Sequence, residues 1–149
     1  MRFWFSVILL SLVIYRSMRD GGLPEKYAST AFGLSFLAEY TWNDIVGLSD
    51  FRAFSPFRLG LDGTALIVLV WVALKANRWW PIWLSALQLI VVAGHLAAYL
   101  KIPAVSGVYW GMTAVPFYPQ LIILLFGIIR HKKRITAVTR YPDWSKMIE

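Results

Sequence analysis

Five apolar runs separated by short polar connections set the hydrophobic pattern of this 149-residue chain. The clearest run covers residues 79–100, which contain no Asp, Glu, Lys or Arg and lie between Arg78 and Lys101. As an α-helix this run would be about 33 Å long, enough to cross the hydrocarbon core of a bilayer. Aromatic residues typical of a membrane interface stand at its two ends: Trp79, Trp80, Trp83 and Tyr99.

The remaining runs extend this pattern to the whole chain, at residues 3–16, 27–48, 59–76 and 105–129. The first is short for a span, so it would need a tilt or a locally thinner bilayer. The sequence therefore predicts an all-α, polytopic integral membrane bundle of five transmembrane helices. One domain covers residues 1–134, and a C-terminal tail covers residues 135–149.

The second run is open to two interpretations. Ser35, Glu39 and Asn43 recur every four residues and form one polar stripe on an otherwise apolar helix. Such a helix either crosses the membrane with its stripe toward partner helices or lies flat at the interface. The second case would leave four spans plus one interfacial amphipathic helix.

The distribution of Lys and Arg favours five spans, because basic residues concentrate on the cytoplasmic side of membrane proteins. Five spans divide these residues eleven against four, whereas four spans divide them nine against six. The larger group is Arg16, Arg19, Lys26, Lys75, Arg78, Arg130, Lys132, Lys133, Arg134, Arg140 and Lys146. We therefore expect an external N-terminus and a cytoplasmic C-terminus.

The first connections carry turn-forming residues. Residues 16–26 include Gly21, Gly22 and Pro24, which indicate a turn with basic flanks. Residues 49–58 are interpreted as an external loop with aromatic anchors.

Later connections constrain how the last three helices meet. The short link at residues 75–78 makes the third and fourth helices antiparallel neighbours. Pro116 and Pro119 each remove a backbone donor, so we expect a kink or an unwound turn within the fifth helix. The RHKKR sequence at residues 130–134 is expected to end that span on the cytoplasmic side.

Composition agrees with a membrane protein and removes several kinds of site. The hydrophobic share is 58%, against about 45–50% in soluble domains. The net charge of +7 is typical of contact with anionic lipid, and nucleic acid is not an expected partner. The absence of cysteine excludes disulfides, thiolate catalysis, iron–sulfur clusters and cysteine-ligated zinc. Lipid headgroups are the expected ligands of the last basic cluster: Arg130, Lys132, Lys133 and Arg134.

Polar residues of the predicted spans form a candidate intramembrane cluster. Glu39, Asp62 and His95 lie about 6 to 13 Å from the outer boundary, and Gln88 shares a helix face with His95. Because ionisable groups are costly in hydrocarbon, they normally face inward and pair. Two interpretations stay open, a proton or cation site and a set of hydrogen bonds that hold helices together. Gln120, at about the depth of Gln88, is predicted to bridge the fourth and fifth helices.

His95 also suggests a third interpretation, because a neutral imidazole in an apolar helix is the usual axial ligand of a haem or a chlorophyll-type pigment. Met112 lies at a similar depth and could be a second ligand. His131 lies more than about 25 Å away in depth, which excludes ligation by both histidines. A quinone site is a further alternative, and no other metal site is predicted.

Small residues indicate close helix packing on the fourth and fifth helices. Gly107 and Gly111 form a GxxxG motif, which is common where membrane helices meet. The fourth helix offers two small-xxx-small pairs, Ala93 with Ala97 and Gly94 with Ala98. These residues either bind a partner or pack the two helices of this chain against each other.

Six features of the chain recur together in one order: GGLPEKYA from Gly21, the Asp62 helix, ANRWWPIW from Ala76, GHLA from Gly94, YPQLIILLFG from Tyr118 and RHKKR. With these motifs the chain resembles a family of small bacterial integral membrane proteins of unknown function, over about residues 21–134. The resemblance implies a multi-helix bundle in a bacterial inner membrane, in which the segment after the Gly-Gly turn is a full hydrophobic helix. It implies no activity or cofactor.

Motifs of the common enzyme classes are missing: the chain has no HExxH, GxSxG, Walker loop or GxGxxG. We therefore expect a non-enzymatic accessory subunit that packs against larger membrane proteins or its own copies. The first alternative is a proton or cation carrier that uses Glu39, Asp62 and His95. The second alternative is a protein that binds a tetrapyrrole or a quinone through His95.

Overall fold

The computed structural model describes residues 2–46, 55–76, 78–100 and 106–137. All secondary-structure elements in this part of the chain are α-helices, which confirms the predicted all-α class. They are α1 (Arg2–Asp20), α2 (Leu23–Val46), α3 (Pro56–Lys75), α4 (Trp80–Tyr99), α5 (Ser106–Ala114) and α6 (Phe117–Ala137).

The helices form a bundle in which sequence neighbours pack side by side. α1 lies against α2 and α6, α3 lies against α2 and α4, and α4 also contacts α5 and α6. The short link after α3 makes α3 and α4 an antiparallel pair, as expected. Asp20, Arg78 and residues 130–134 meet at one end of the bundle, which we call the basic end.

The core is made of aliphatic side chains that face the bundle axis. Leu69, Leu84, Leu121 and Leu124 are fully buried where α3, α4 and α6 meet. Large apolar side chains also cover the outside of every long helix, for example Trp4, Ile45, Ile67, Leu74 and Phe126. An apolar exterior of this extent is unusual for a protein surrounded by water and is typical of one surrounded by lipid.

Within the described residues, three stretches are long and apolar enough to cross a membrane: Pro56–Lys75, Trp80–Tyr99 and Gly107–Thr136. The last one joins α5 and α6 into a single interrupted span. α1 and α2 are long enough but too polar to be counted among these stretches, and α1 carries charged residues at both of its ends. The described part of the chain is therefore a helical bundle with three stretches that could cross a membrane.

The first connection is much shorter than predicted. Residues 16–26 were expected to form a turn, but only Gly21 and Gly22 are outside the helices. The amide of Gly21 completes the last turn of α1 by donating to the Ser17 carbonyl. Glu25 then reaches back to accept a hydrogen bond from the Gly22 amide at 3.1 Å, an arrangement that begins α2 in the manner of a capping box.

The expected interruption between α5 and α6 lies at Val115 and Pro116. Pro119 falls in the first turn of α6, where a helix does not need the missing amide donor, so it causes no second break. That the RHKKR sequence ends the membrane span stays a prediction, because the helix itself does not end at these residues. α6 continues through these residues to Ala137, which carries their side chains beyond the apolar part of the span.

Other predictions lie outside the described residues. They are residues 49–54 of the predicted external loop, the connection between the fourth and fifth predicted helices at residues 101–104, and the tail from residue 138 onward. The last part of the predicted loop, residues 56–58, is described and belongs to the first turn of α3, which is a correction to the predicted bounds.

Candidate functional site

Polar side chains from four helices form one chain of hydrogen bonds inside the bundle. We call this chain the Asp62 network; it consists of Asp62 on α3, Gln88 and His95 on α4, Tyr109 on α5 and Gln120 on α6. Gln88 and His95 are seven residues apart, so they project from the same face of α4. The network lies where α3, α5 and α6 pack on that face.

The carboxylate of Asp62 joins α3 to α4 at two points. Its Oδ2 atom lies 3.0 Å from Nε2 of His95, and its Oδ1 atom accepts a hydrogen bond from Nε2 of Gln88 at 2.9 Å. The Gln88 amide also donates to the Asp62 backbone carbonyl at 3.2 Å. Both oxygens of the carboxylate therefore have a partner on α4.

These contacts define the hydrogen-bonding pattern of His95. An ionised carboxylate only accepts hydrogen bonds, so Nε2 of His95 donates its proton to Asp62. In the neutral imidazole, Nδ1 then accepts from the Tyr109 hydroxyl, which lies 2.9 Å away. The His95 side chain is almost completely buried, and the edge of its ring also contacts the Tyr109 ring.

The two glutamines extend the network across α4 to α6. Nε2 of Gln120 donates to Oε1 of Gln88 at 2.8 Å and lies 3.4 Å from the Leu84 carbonyl. Both glutamines are buried. The order Tyr109, His95, Asp62, Gln88, Gln120 therefore runs without interruption through four helices.

Glu39 lies beside the Asp62 network and does not bond to it. Its carboxylate pairs with Arg58 at 2.8 Å, and the same guanidinium donates to the Asn43 side chain at 3.4 Å. Arg58 stands one helical turn before Asp62 on α3, so the partner of Glu39 and the carboxylate of the network lie on neighbouring positions of the same helix face. The structure thus joins three of the four predicted cluster members directly, Asp62, His95 and Gln88, and brings Glu39 next to them.

A second buried group lies at the basic end, and sequence reasoning missed it. We call it the Glu25 cluster; it consists of Glu25, Arg78 and His131. Arg78 forms a salt bridge with Glu25, and its other terminal nitrogen lies 2.7 Å from Nδ1 of His131. The side chains of Glu25 and Arg78 are 0% and 2% exposed. Since the guanidinium can only donate, Nδ1 of His131 accepts.

The Glu25 cluster ties three separate parts of the chain together. Glu25 comes from the start of α2, Arg78 from the link between α3 and α4, and His131 from α6. Beside it, the Ser29 hydroxyl donates to the Ser17 hydroxyl at 2.9 Å between α2 and α1. One sequence signal could have revealed part of the cluster. Arg78 precedes the fourth predicted helix and His131 follows the fifth, so every predicted topology places both residues on the same side of the membrane.

The basic residues at positions 130–134 have different surroundings, although the sequence suggested one shared lipid-facing role. Lys132 forms a salt bridge with Asp20 at 3.1 Å. The guanidinium of Arg130 lies over the Trp79 ring, 5.8 Å from its centroid. Lys133 is exposed.

The candidate ligands of a tetrapyrrole are His95 and Met112. Both ring nitrogens of His95 have protein partners, so axial ligation would require one of these hydrogen bonds to break. Met112 packs against the backbone of α4 at Gly94. A Cβ atom added to Gly94 would lie 2.9 Å from the Cβ atom of Met112. In the described part of the chain, no group of three or more His, Asp or Glu side chains could hold a metal ion.

The small residues divide into two sets. Gly94 is buried against Met112 and Thr113, so it permits the close contact between α4 and α5. Gly107 and Gly111 meet no atom of the described chain within 4 Å of an added Cβ position. On α4, Ala93 is exposed, while Ala97 and Ala98 are partly buried. The GxxxG motif is therefore not used for packing among the described helices.

Comparison with known proteins gives no relative of this chain. No protein-family model matches it, and neither the curated proteins nor the solved structures compared with it give a significant match. The resemblance to small bacterial membrane proteins therefore depends on the motifs quoted above, from GGLPEKYA to RHKKR.

Proposed function

We propose that this protein is a non-enzymatic accessory subunit that packs against other membrane proteins through α5. The observation that carries the proposal is the open space at Gly107 and Gly111, where no atom of the described chain lies within 4 Å of an added Cβ atom. Lipid tails cannot distinguish this surface from any other apolar surface, whereas a partner helix gains close backbone contact there. A helix from another chain is the expected occupant.

The use of Gly94 inside the chain supports this assignment. The contact between α4 and α5 depends on Gly94, with Met112 and Thr113 on the other side. The intrachain contact therefore does not need Gly107 or Gly111, and these residues stay available for intermolecular packing.

The polar residues support a structural role as well. The Asp62 network and the Glu25 cluster connect helices that are distant in sequence, and their members mostly bond to one another. Hydrogen bonds between membrane helices contribute about 0.6–2 kcal/mol each. These groups consequently stabilise the rigid bundle that an accessory subunit presents to its partner.

We further propose five spans, with α1 and α2 crossing beside the three apolar stretches. α1 and α2 contain 19 and 24 residues, so they are about 28 and 36 Å long. Glu39 and Asn43 bond to Arg58 on α3, so this part of the polar stripe on α2 faces a helix. The apolar side chains of Trp4, Ile8 and Leu12 cover the outside of α1. The external N-terminus predicted by the basic residues is part of this proposal.

Native mass measurement of the protein extracted from its own membrane tests the accessory role. We expect the wild type to appear as a complex heavier than one chain, and Gly107→Leu with Gly111→Leu to release the single chain. Gly63→Leu is the matched control, because Gly63 is also open but has no small residue four positions away. A single wild-type chain, or a complex that survives the double substitution, contradicts the proposal.

One observation favours a second function, proton or cation transport. The unbroken order from Tyr109 through His95 to Asp62 is a path along which a proton could move by exchange of hydrogen bonds. Proton flux into liposomes should then fall strongly in both His95→Ala and Asp62→Asn. Flux equal to that of protein-free liposomes in the wild type removes the transport function and leaves the accessory role intact.

A further inference from the structure

A cleft between α4 and α6 opens beside the basic end of the bundle. Its volume is about 110 Å³, and its lining is apolar except for one cation. The lining residues are Trp79, Trp80, Ile122, Ile123, Phe126, Gly127 and Arg130. A second, smaller cleft shares Trp79, Trp80, Gly127 and Arg130 with the first and adds Arg78, His131 and Arg134. The two clefts therefore form one groove that is apolar at one end and basic at the other.

Two polar groups of this groove have no carboxylate or hydrogen-bond partner among the described residues. Lys132 pairs with Asp20 and Arg78 pairs with Glu25, whereas Arg130 has no carboxylate partner in the described chain. Instead, its guanidinium lies over the exposed ring of Trp79, which fixes it at the mouth of the groove.

The second group is the indole nitrogen of Trp80. The Trp80 side chain is 4% exposed and lies against Gly127. A Cβ atom added to Gly127 would be 3.0 Å from Nε1 of Trp80. Among the described residues, this nitrogen has no hydrogen-bond partner. A buried donor without an acceptor is unfavourable, so a ligand oxygen in the groove would stabilise it.

From these observations we propose that the groove binds one anionic glycerophospholipid. The phosphate binds at Arg130, a glycerol or ester oxygen approaches the indole nitrogen of Trp80, and the acyl chain lies along Ile122, Ile123 and Phe126. Ile122 and Arg130 are two helical turns apart, about 12 Å, which matches a headgroup followed by the first part of an acyl chain. A guanidinium suits phosphate oxygens because it can donate two parallel hydrogen bonds.

This lipid site differs from the general attraction of basic residues to a charged membrane surface. General attraction depends on the number of cations and treats neighbouring ones alike. Binding at a specific lipid site depends on Arg130 and Trp80, which line the groove. It should not depend on Lys133, which is exposed on the next helical turn and does not line the groove. The site is also independent of which protein covers Gly107 and Gly111.

The test is a titration of the delipidated full-length protein in detergent with phosphatidylglycerol, followed by native mass spectrometry. We expect one retained lipid that binds about tenfold more weakly to Arg130→Gln, with a smaller loss in Trp80→Phe. Lys133→Gln and Trp83→Phe are matched controls that should stay within about twofold of the wild type. Phosphatidylcholine should bind at least tenfold more weakly than phosphatidylglycerol, because its headgroup carries no net charge.

Three results would overturn the proposal. Equal losses in Arg130→Gln and Lys133→Gln would show surface attraction alone. Displacement of the lipid by an equal concentration of inorganic phosphate would show an anion site that does not bind the acyl chain. Failure of the wild type to retain any phosphatidylglycerol would show that the groove is not a lipid site. Arg130 and Lys133 are both exposed, so neither variant should impair folding.

Discussion

Arg78 and Glu25, which are 53 residues apart in the sequence, form a salt bridge in which both side chains are buried. The pair joins the link between α3 and α4 to the first turn of α2. Glu25 also stabilises the turn between α1 and α2, because its carboxylate accepts a hydrogen bond from the Gly22 amide. One carboxylate therefore begins a helix and neutralises a buried cation.

Removal of both partners of this pair should cost clearly less than the two single removals added together. Arg78→Met leaves the Glu25 carboxylate buried without a cation, which costs about 3–5 kcal/mol. In Arg78→Met with Glu25→Gln, the loss should be clearly smaller than the sum of the two single losses. Unfolding of the purified variants in a mixed detergent titration measures these free energies. Additive losses would mean that the two side chains do not interact energetically.

Gly21 should not tolerate a side chain. An added Cβ atom would lie 2.5 Å from the Ser17 carbonyl oxygen, so the backbone would have to move. We expect Gly21→Ala to lower the free energy of unfolding by about 1–3 kcal/mol. Gly63→Ala serves as the control, because it has open space and should be neutral or stabilising. Equal effects of the two substitutions in thermal unfolding would contradict the close approach at Gly21.

Tyr109→Phe should weaken the Asp62 network without changing the shape of the core. The substitution removes only the hydroxyl that lies 2.9 Å from Nδ1 of His95, and the expected loss is about 1 kcal/mol. Tyr40→Phe is a suitable control, because Tyr40 is exposed and its ring stacks on Phe3. Thermal unfolding in detergent compares the two variants. A loss no larger than that of the control would mean that the hydroxyl contributes nothing.

The protonation of the two histidine rings can be observed directly. Nitrogen NMR of labelled protein should show the proton on Nε2 of both rings, because Nδ1 accepts from Tyr109 in His95 and from Arg78 in His131. The chain contains only two histidines, so His131→Gln assigns the signals. A proton on Nδ1 of His95 would mean that the direction of the hydrogen bonds through Asp62 is different.

The sequence predicted contacts between polar residues well where helix depth decided them. His95 and Asp62 were placed at similar depths, and so were Gln88 and Gln120, because an α-helix rises by 1.5 Å per residue. The structure brings both pairs together. Tyr109 was overlooked because an aromatic residue in an apolar run gives no polar signal. Glu25 was missed because residues 16–26 were interpreted as a turn, although α2 already begins at Leu23.

The sequence could not predict which face of α5 is turned toward the rest of the bundle. The depth of Gly107 and Gly111 follows from counting residues, but the interruption at Val115 and Pro116 sets the direction in which α5 faces. A GxxxG motif alone therefore could not decide between packing on α4 and packing on another chain. The structure shows that Gly94 is used for the contact with α5 instead.

Photo-crosslinking in the native membrane tests the proposed accessory role most directly. A photoreactive amino acid at Val108, which is exposed beside Gly107, should form a product with another protein chain, whereas the same amino acid at the exposed Ile67 of α3 should not. Mass analysis of the product then identifies the partner as a different protein or a second copy. No protein product at Val108, or equal yields at the two positions, would contradict the role proposed for α5.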